Sequence, residues 1–172
     1  QSGDDQELRP TALRLLLLVL SCPVIQGQNV TLGAAFDIDS HDAYVSVVEL
    51  AVSQINEDAL LLPGVYLNLE VADLSRFRAL LNVRDAAYDA VVLRSDEARE
   101  IVGHFQRENV QAVVGAAYSS DALELSPLLH EAGIPLVSPS ATFGGLSNKT
   151  DFPSFARTVA PDEKSAAMIM AA

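Results

Sequence analysis

"VQAVVGAAYSSDALELSPLLHEAGIPLVS", residues 110–138, decides the fold. Its opening, "VQAVVGA" (110–116), is a short apolar run of the kind that forms a buried strand. Ser119 and Ser120 follow, and Ser120 is placed to cap a helix. Leu125, Leu128, Leu129 and Ala132 then recur at helical spacing, as one apolar stripe. Pro127 inside that pattern predicts a kink, because it has no N–H to donate. Gly133 is a natural stop, and "IPLVS" is the next strand. Strand, helix and strand in succession predict a parallel pair joined by a crossover.

The same alternation extends upstream. "VTLGAAF" (30–36) reads as a buried strand, with Ser40 or Asp42 placed to cap the next element. From 43 to 58, Tyr44, Val47, Val48, Ala51, Val52 and Ile55 form one stripe of an amphipathic helix, and Pro63 and Gly64 break the chain. "VYLNLEV" (65–71) alternates strictly, as a half-exposed strand near a sheet edge does. Residues 72–94 are ambiguous between helix and strand. A helix is predicted from Ser95 or Asp96 to Arg107, with Ala98, Ile101, Val102 and Phe105 inward. The fold class expected is therefore three-layer α/β/α around a parallel sheet with right-handed crossovers. In such sheets ligands bind beyond the carboxyl ends of the strands, so the loops after 36, 71, 116 and 138 are the ones to watch.

Composition narrows the function. Apolar residues make up 49% of the 172, enough for a core. A net charge of −12, with 11 Lys and Arg scattered along the chain, argues against a nucleic-acid partner. The single Cys22 makes no internal disulfide and no C-x-x-C metal or redox pair. It lies in "LRPTALRLLLLVLSCPVIQGQ", where Arg9 and Arg14 precede a short apolar run, Leu15–Leu20, too short to span a bilayer. That is the pattern of a secretory signal, expected over residues 1–27 together with an N-terminal extension. The alternative is a buried core helix. "NVT" at Asn29 and "NKT" at Asn148 are glycosylation acceptors consistent with export.

Two loops carry similar chemistry. "GAAYSSDA" follows one strand and opens a helix, whose N-terminal N–H groups and dipole favour an anion. "SPSATFGG" follows the next strand. Ser119, Ser120 and backbone N–H groups suit a carboxylate; Ser140 and Thr142 oxygens suit an ammonium; Ala141 is small enough to let a ligand approach. Together they suit a small zwitterion. The competing reading is that these hydroxyls only cap and turn the chain, and spacing alone leaves both open.

"VELAVSQINEDALLLPGVYLNLEV" and the stretch from "VQAVVGAAYSSDA" to "LSNKTDFPSFARTVAPDE" resemble the receptor-family ligand-binding region, of periplasmic-binding-protein type I fold. The wording is most similar to the extracellular domains of metabotropic glutamate and GABA-B-like class C G-protein-coupled receptors. The resemblance implies lobe 1 over residues 28–160 and the start of lobe 2 over 161–172, as part of a longer protein. It implies a small amino-acid-like ligand held by Ser119, Ser120, Ser140, Ala141 and Thr142, and closure of the lobes on it. It also implies pairing through lobe 1, an extracellular place, and a membrane part outside this chain. Two features depart from the family pattern. Ala116 stands where Pro is frequent, and 72–94 lacks an Asp-x-x-Cys.

Other constellations carry less. "DIDSHD" (37–42) gathers Asp37, Asp39, His41 and Asp42, but without EF-hand spacing it reads as a solvated loop and cap, and no metal is expected. His104 and His130 stand alone on predicted helices. No nucleophile elbow, Walker loop or dinucleotide fingerprint occurs, so neither an enzyme nor a cofactor is expected. A solute-binding protein for amino-acid uptake is the main alternative, with "VLSC" weakly similar to a lipid-anchor motif at Cys22.

Overall fold

The computed structural model describes residues 27–76 and 89–170. The expected signal segment and Cys22 lie outside these residues, as does the middle of the ambiguous 72–94 stretch. The elements in chain order are β1 (Gln28–Phe36), α1 (Ile38–Glu57), β2 (Val65–Asp73), α2 (Asp89–Arg107), β3 (Val110–Gly115), α3 (Ser119–Glu131) and β4 (Leu136–Ser138). A 3-10 turn (Gly144–Ser147), β5 (Phe155–Arg157) and α4 (Asp162–Met170) complete them. The strands form one parallel sheet in the order β2-β1-β3-β4-β5.

That order reverses direction at β1. The chain steps outward to β2, then returns past β1 to β3. Right-handed crossovers in opposite directions place helices on opposite faces. Side-chain alternation along β1 agrees. Ala34 and Phe36 face a cluster with Tyr44, Val45 and Val48 of α1. Ala35 faces a larger core with Ala98, Ile101, Val102 and Phe105 of α2 and Leu125 and Leu129 of α3. Phe36 and Phe105 are fully buried, each worth roughly 1.5–3 kcal/mol of transfer free energy.

Between β1 and β3 the backbones come close. Gly115 has φ 147°, and a Cβ there would lie 2.2 Å from the Ala35 carbonyl oxygen. Only glycine fits at this crossing, where the sheet changes direction.

Helix ends differ from expectation in instructive ways. Asp37, rather than Ser40 or Asp42, caps α1: its carboxylate accepts from the Ser40 N–H at 3.3 Å. His41 interrupts the first turn with φ −141° and ψ 37°. Past that irregularity Val45 packs inward, while Val47, expected on the stripe, is 63% exposed. Helix α2 starts at Asp89, earlier than Ser95. Tyr118, rather than Ser120, occupies the cap position of α3, without a capping side-chain bond. Helix α3 runs on through Pro127. It ends as Gly133 predicts, with φ 76° there. The Gly133 N–H donates to the His130 carbonyl at 2.9 Å and the Ile134 N–H to the Leu129 carbonyl at 2.8 Å, a Schellman closure.

Strand β2 lies at the edge of the described sheet, as its alternation predicts. Asn56 of α1 reaches over to it. Its Nδ2 donates to the Leu67 carbonyl at 2.9 Å, and its Oδ1 accepts from the Leu67 N–H at 2.8 Å. One side chain thereby takes the place of a neighbouring strand at that residue, which blunts the edge.

Candidate functional site

The carboxyl ends of β1, β3 and β4 converge where the strand order reverses, and the expected site residues lie on the loops there. The β3–α3 and β4 loops are tied to each other. Ser138 is fully buried at the end of β4. Its hydroxyl donates to the Ala116 carbonyl at 2.7 Å and accepts from the Ala141 N–H at 2.9 Å and the Ser140 N–H at 3.3 Å. The Ser140 hydroxyl donates to the Ala117 carbonyl at 2.8 Å. The Phe143 N–H donates to the Ser119 hydroxyl oxygen at 3.0 Å. The structure thus brings Ser119, Ser140, Ala141 and Thr142 together in one laced unit.

These bonds fix what each group still offers. Ser119 accepts through its oxygen, so its own proton remains for an outside acceptor. Ser140 spends its proton on Ala117, so its oxygen lone pairs remain for an outside donor. Ser120 donates to Asp121 Oδ1 at 3.0 Å, along the first turn of α3. Ala141 is fully buried, with its N–H on Ser138 and its carbonyl on Arg157. It packs the loop rather than presenting a polar group. Thr142 is half-buried; its carbonyl accepts from the Asp162 N–H at 3.0 Å, and its hydroxyl has no partner among the described residues. A free Ser119 donor and the Thr142 hydroxyl can receive an anion. The Ser140 oxygen can receive a cation.

Sequence reasoning missed several residues here. Ser138, which lies in no nucleophile elbow and reads only as the end of a strand, is the buried tie between the loops. Its signal was position: the last strand residue, inward by alternation, and polar. Arg157 went unremarked. It ends β5, and its Nη1 donates to the Ala141 and Phe143 carbonyls, each at 3.0 Å. Its Nη2 bonds the Ser147 hydroxyl.

The loops after β1 and β2 form a second unit. The Ser75 hydroxyl lies 2.5 Å from Asp73 Oδ1 and 3.0 Å from Asp37 Oδ1, and its single proton serves one of them at a time. Burial raises the Asp73 carboxyl pKa. Hydrogen bonds from the Ser75 hydroxyl and from the Ser75 and Ile38 N–H groups outweigh burial and hold it below the ordinary 3.8. Beside this unit the His41 ring meets Tyr118 edge-on at 4.8 Å and Tyr44 at 5.4 Å, an aromatic wall the periodicity did not reveal.

Of the other candidates in "DIDSHD", Asp37 caps α1 and the Asp42 carboxylate accepts from the Ala43 N–H. Among the described residues no group of three or more His, Cys, Asp or Glu is gathered as for a metal. His130 is exposed and pairs with the Ser154 hydroxyl at 2.7 Å; His104 Nε2 lies 3.6 Å from Glu70. Asn29 and Asn148 are both exposed. Among the described residues no helix is long and apolar enough to cross a membrane.

Residues 45–172 match the family described as the receptor family ligand binding region. The metabotropic glutamate receptor of Drosophila melanogaster is 34% identical over 125 residues, covering 65% of this chain and 12% of that protein. Among solved structures, an ABC transporter substrate-binding protein from Desulfitobacterium hafniense in complex with Leu is similar at TM-score 0.61 and 23% identity. The match covers 84% of this chain and 39% of that one. The branched-chain amino acid substrate-binding protein LivJ from Streptococcus pneumoniae, in complex with isoleucine, is similar at TM-score 0.59 and 23% identity, covering 78% and 35%. The chain therefore spans a small part of its receptor relative and less than half of these binding proteins.

Proposed function

The chain belongs to the receptor family ligand binding region, and on that premise we propose that it is the first lobe of an extracellular receptor domain that binds a small amino-acid-like ligand. The observation that carries this reading is the junction of the β3 and β4 loops. The Phe143 N–H bond to Ser119 sets that serine and Thr142 side by side at the carboxyl ends of the strands. In this reading Ser119, the α3 N-terminus and the Thr142 hydroxyl hold the ligand carboxylate, and the Ser140 oxygen holds its ammonium. Ser120 supports the first turn through Asp121, and Ala141 packs beneath.

A ligand docked here is then covered by a second lobe, and closure is the signal. Closure follows only if the closed state binds the ligand better than the open one. Glycosylation at Asn29 and Asn148, and pairing of two receptors through this lobe, belong to the same proposal. Titrating the full-length protein with L-amino acids tests it. Binding that is lost when the α-carboxyl or α-amino group is blocked supports the reading; no binding by any of them contradicts it.

The likeness to substrate-binding proteins that hold leucine and isoleucine favours a second reading, a solute-binding protein for amino-acid uptake. Both readings place the ligand on the same residues. They differ in whether the binding domain is joined to a membrane-linked output.

A further inference from the structure

We propose that Arg157 is the positioning residue of the β4 loop, fixing its peptides so that Thr142 presents donors to an anionic ligand group. This rests on the reading just given, and no sequence pattern pointed to it. The guanidinium sits behind the loop. It takes both the Ala141 and the Phe143 carbonyl on Nη1, and the Ser147 hydroxyl on Nη2.

Peptide geometry turns those contacts into orientation. No described peptide bond is cis. In a trans peptide the carbonyl of one residue and the N–H of the next point in opposite directions. Holding the Ala141 carbonyl toward Arg157 therefore turns the Thr142 N–H away from it. The next peptide is held from both ends: the Thr142 carbonyl accepts from the Asp162 N–H at 3.0 Å, and the Phe143 N–H goes to Ser119. The third is set by the Phe143 carbonyl on Arg157. Every peptide from 141 to 144 has one fixed direction. The Thr142 N–H and hydroxyl have no partner among the described residues.

A fixed cation behind the loop also acts through it. A carbonyl bonded to a guanidinium is polarised, and the N–H on the same peptide becomes a stronger donor. The charge itself attracts a carboxylate bound on the far side. Arg157 itself touches no ligand. It acts through Thr142, and its effect is larger for an anion than for a neutral group.

The test uses Arg157→Gln, which loses the charge and the fork, and Arg157→Lys, which keeps the charge. In the full-length protein without ligand, hydrogen exchange of the segment 139–147 is expected to quicken at least tenfold in Arg157→Gln, with α3 unchanged. L-leucine, L-isoleucine and L-glutamate, and their α-amides, are then the binding probes. The expected result is a loss of tenfold or more for the acids, about threefold or less for the amides, and substantial recovery in Arg157→Lys. Unchanged exchange over 139–147 overturns the proposal whatever the ligands do. Equal losses for acids and amides also overturn it, since they mark a general packing role. If the wild-type protein binds no probe while exchange quickens as stated, the loop anchoring stands and the functional reading above fails instead.

Discussion

The Ser138 hydroxyl donates to the Ala116 carbonyl at 2.7 Å, and both residues are fully buried. This one bond joins the ends of β3 and β4, the strands whose loops make the candidate site. The Ala116 carbonyl has left the sheet ladder and finds its partner in Ser138. The Ser138 hydroxyl oxygen also accepts from the Ser140 and Ala141 N–H groups. A hydroxyl that a reader of sequence tests for nucleophilic chemistry is instead the internal tie of the crevice.

Ser138→Ala removes that tie and leaves a buried carbonyl and a buried N–H without partners. The expected loss is about 2–3 kcal/mol, because orphaned buried groups cost more than the bond itself contributes. Urea unfolding of wild type and variant measures it. A change below about 0.5 kcal/mol would mean the loops do not depend on this residue.

Asn56 and the Leu67 backbone make a second testable pair. Asn56→Ala deletes both bonds on the edge strand and is expected to cost about 1–2 kcal/mol. It also opens the β2 edge, so light scattering is expected to show more association than in the wild type. Asn56→Asp keeps an acceptor for the Leu67 N–H but has no donor for its carbonyl. Its stability is expected to fall as well, and equality with the wild type would contradict the clamp.

Ser126 offers the opposite sign. It is 2% exposed in α3, and its hydroxyl has no partner among the described residues. Ser126→Ala relieves a buried polar group at little cost in volume, so stability is expected to hold or rise by up to about 1 kcal/mol. A clear loss in the same urea assay would show that the hydroxyl has a partner.

Asp73 predicts a pH dependence. Its folded pKa lies below 3.8, lowered by the Ser75 and Ile38 bonds that overcome burial. A depressed carboxylate contributes stability that is fully present above its unfolded pKa and lost as pH falls through the folded value. Asp73→Asn lacks that contribution. As pH falls from about 5 through 3.8 and on through the folded value, its stability is expected to fall less steeply than the wild type's. Parallel curves would remove Asp73 from the acid response.

Most of the architecture was legible because short apolar runs alternated with helical stripes. The edge position of β2 followed from its strict alternation, and the end of α3 from Gly133. The helix starts were less legible. A cap depends on which side chain the preceding strand aims at the free N–H groups, and that aim is set by tertiary contacts. Asp37 won over Ser40 because it is held against Ser75, from a loop distant in sequence. Ser120 does not cap α3; it lies inside the first turn, where its hydroxyl donates to Asp121. The site residues were named from loop position and family resemblance. Their wiring was hidden: Ser138 showed only as a polar residue at an inward strand position, and Arg157 acts through backbone carbonyls that leave no mark in the sequence.

In the proposed function, Ser140 and Thr142 belong to a ligand site. The most direct measurement is calorimetric titration of the full-length protein with an L-amino acid that it binds, beside the double variant Ser140→Ala/Thr142→Ala. The expected result is a loss of more than about tenfold in affinity, equivalent to about 1.4 kcal/mol, in a variant with an unchanged circular dichroism spectrum. Equal affinity in a correctly folded double variant would contradict it and place the ligand elsewhere.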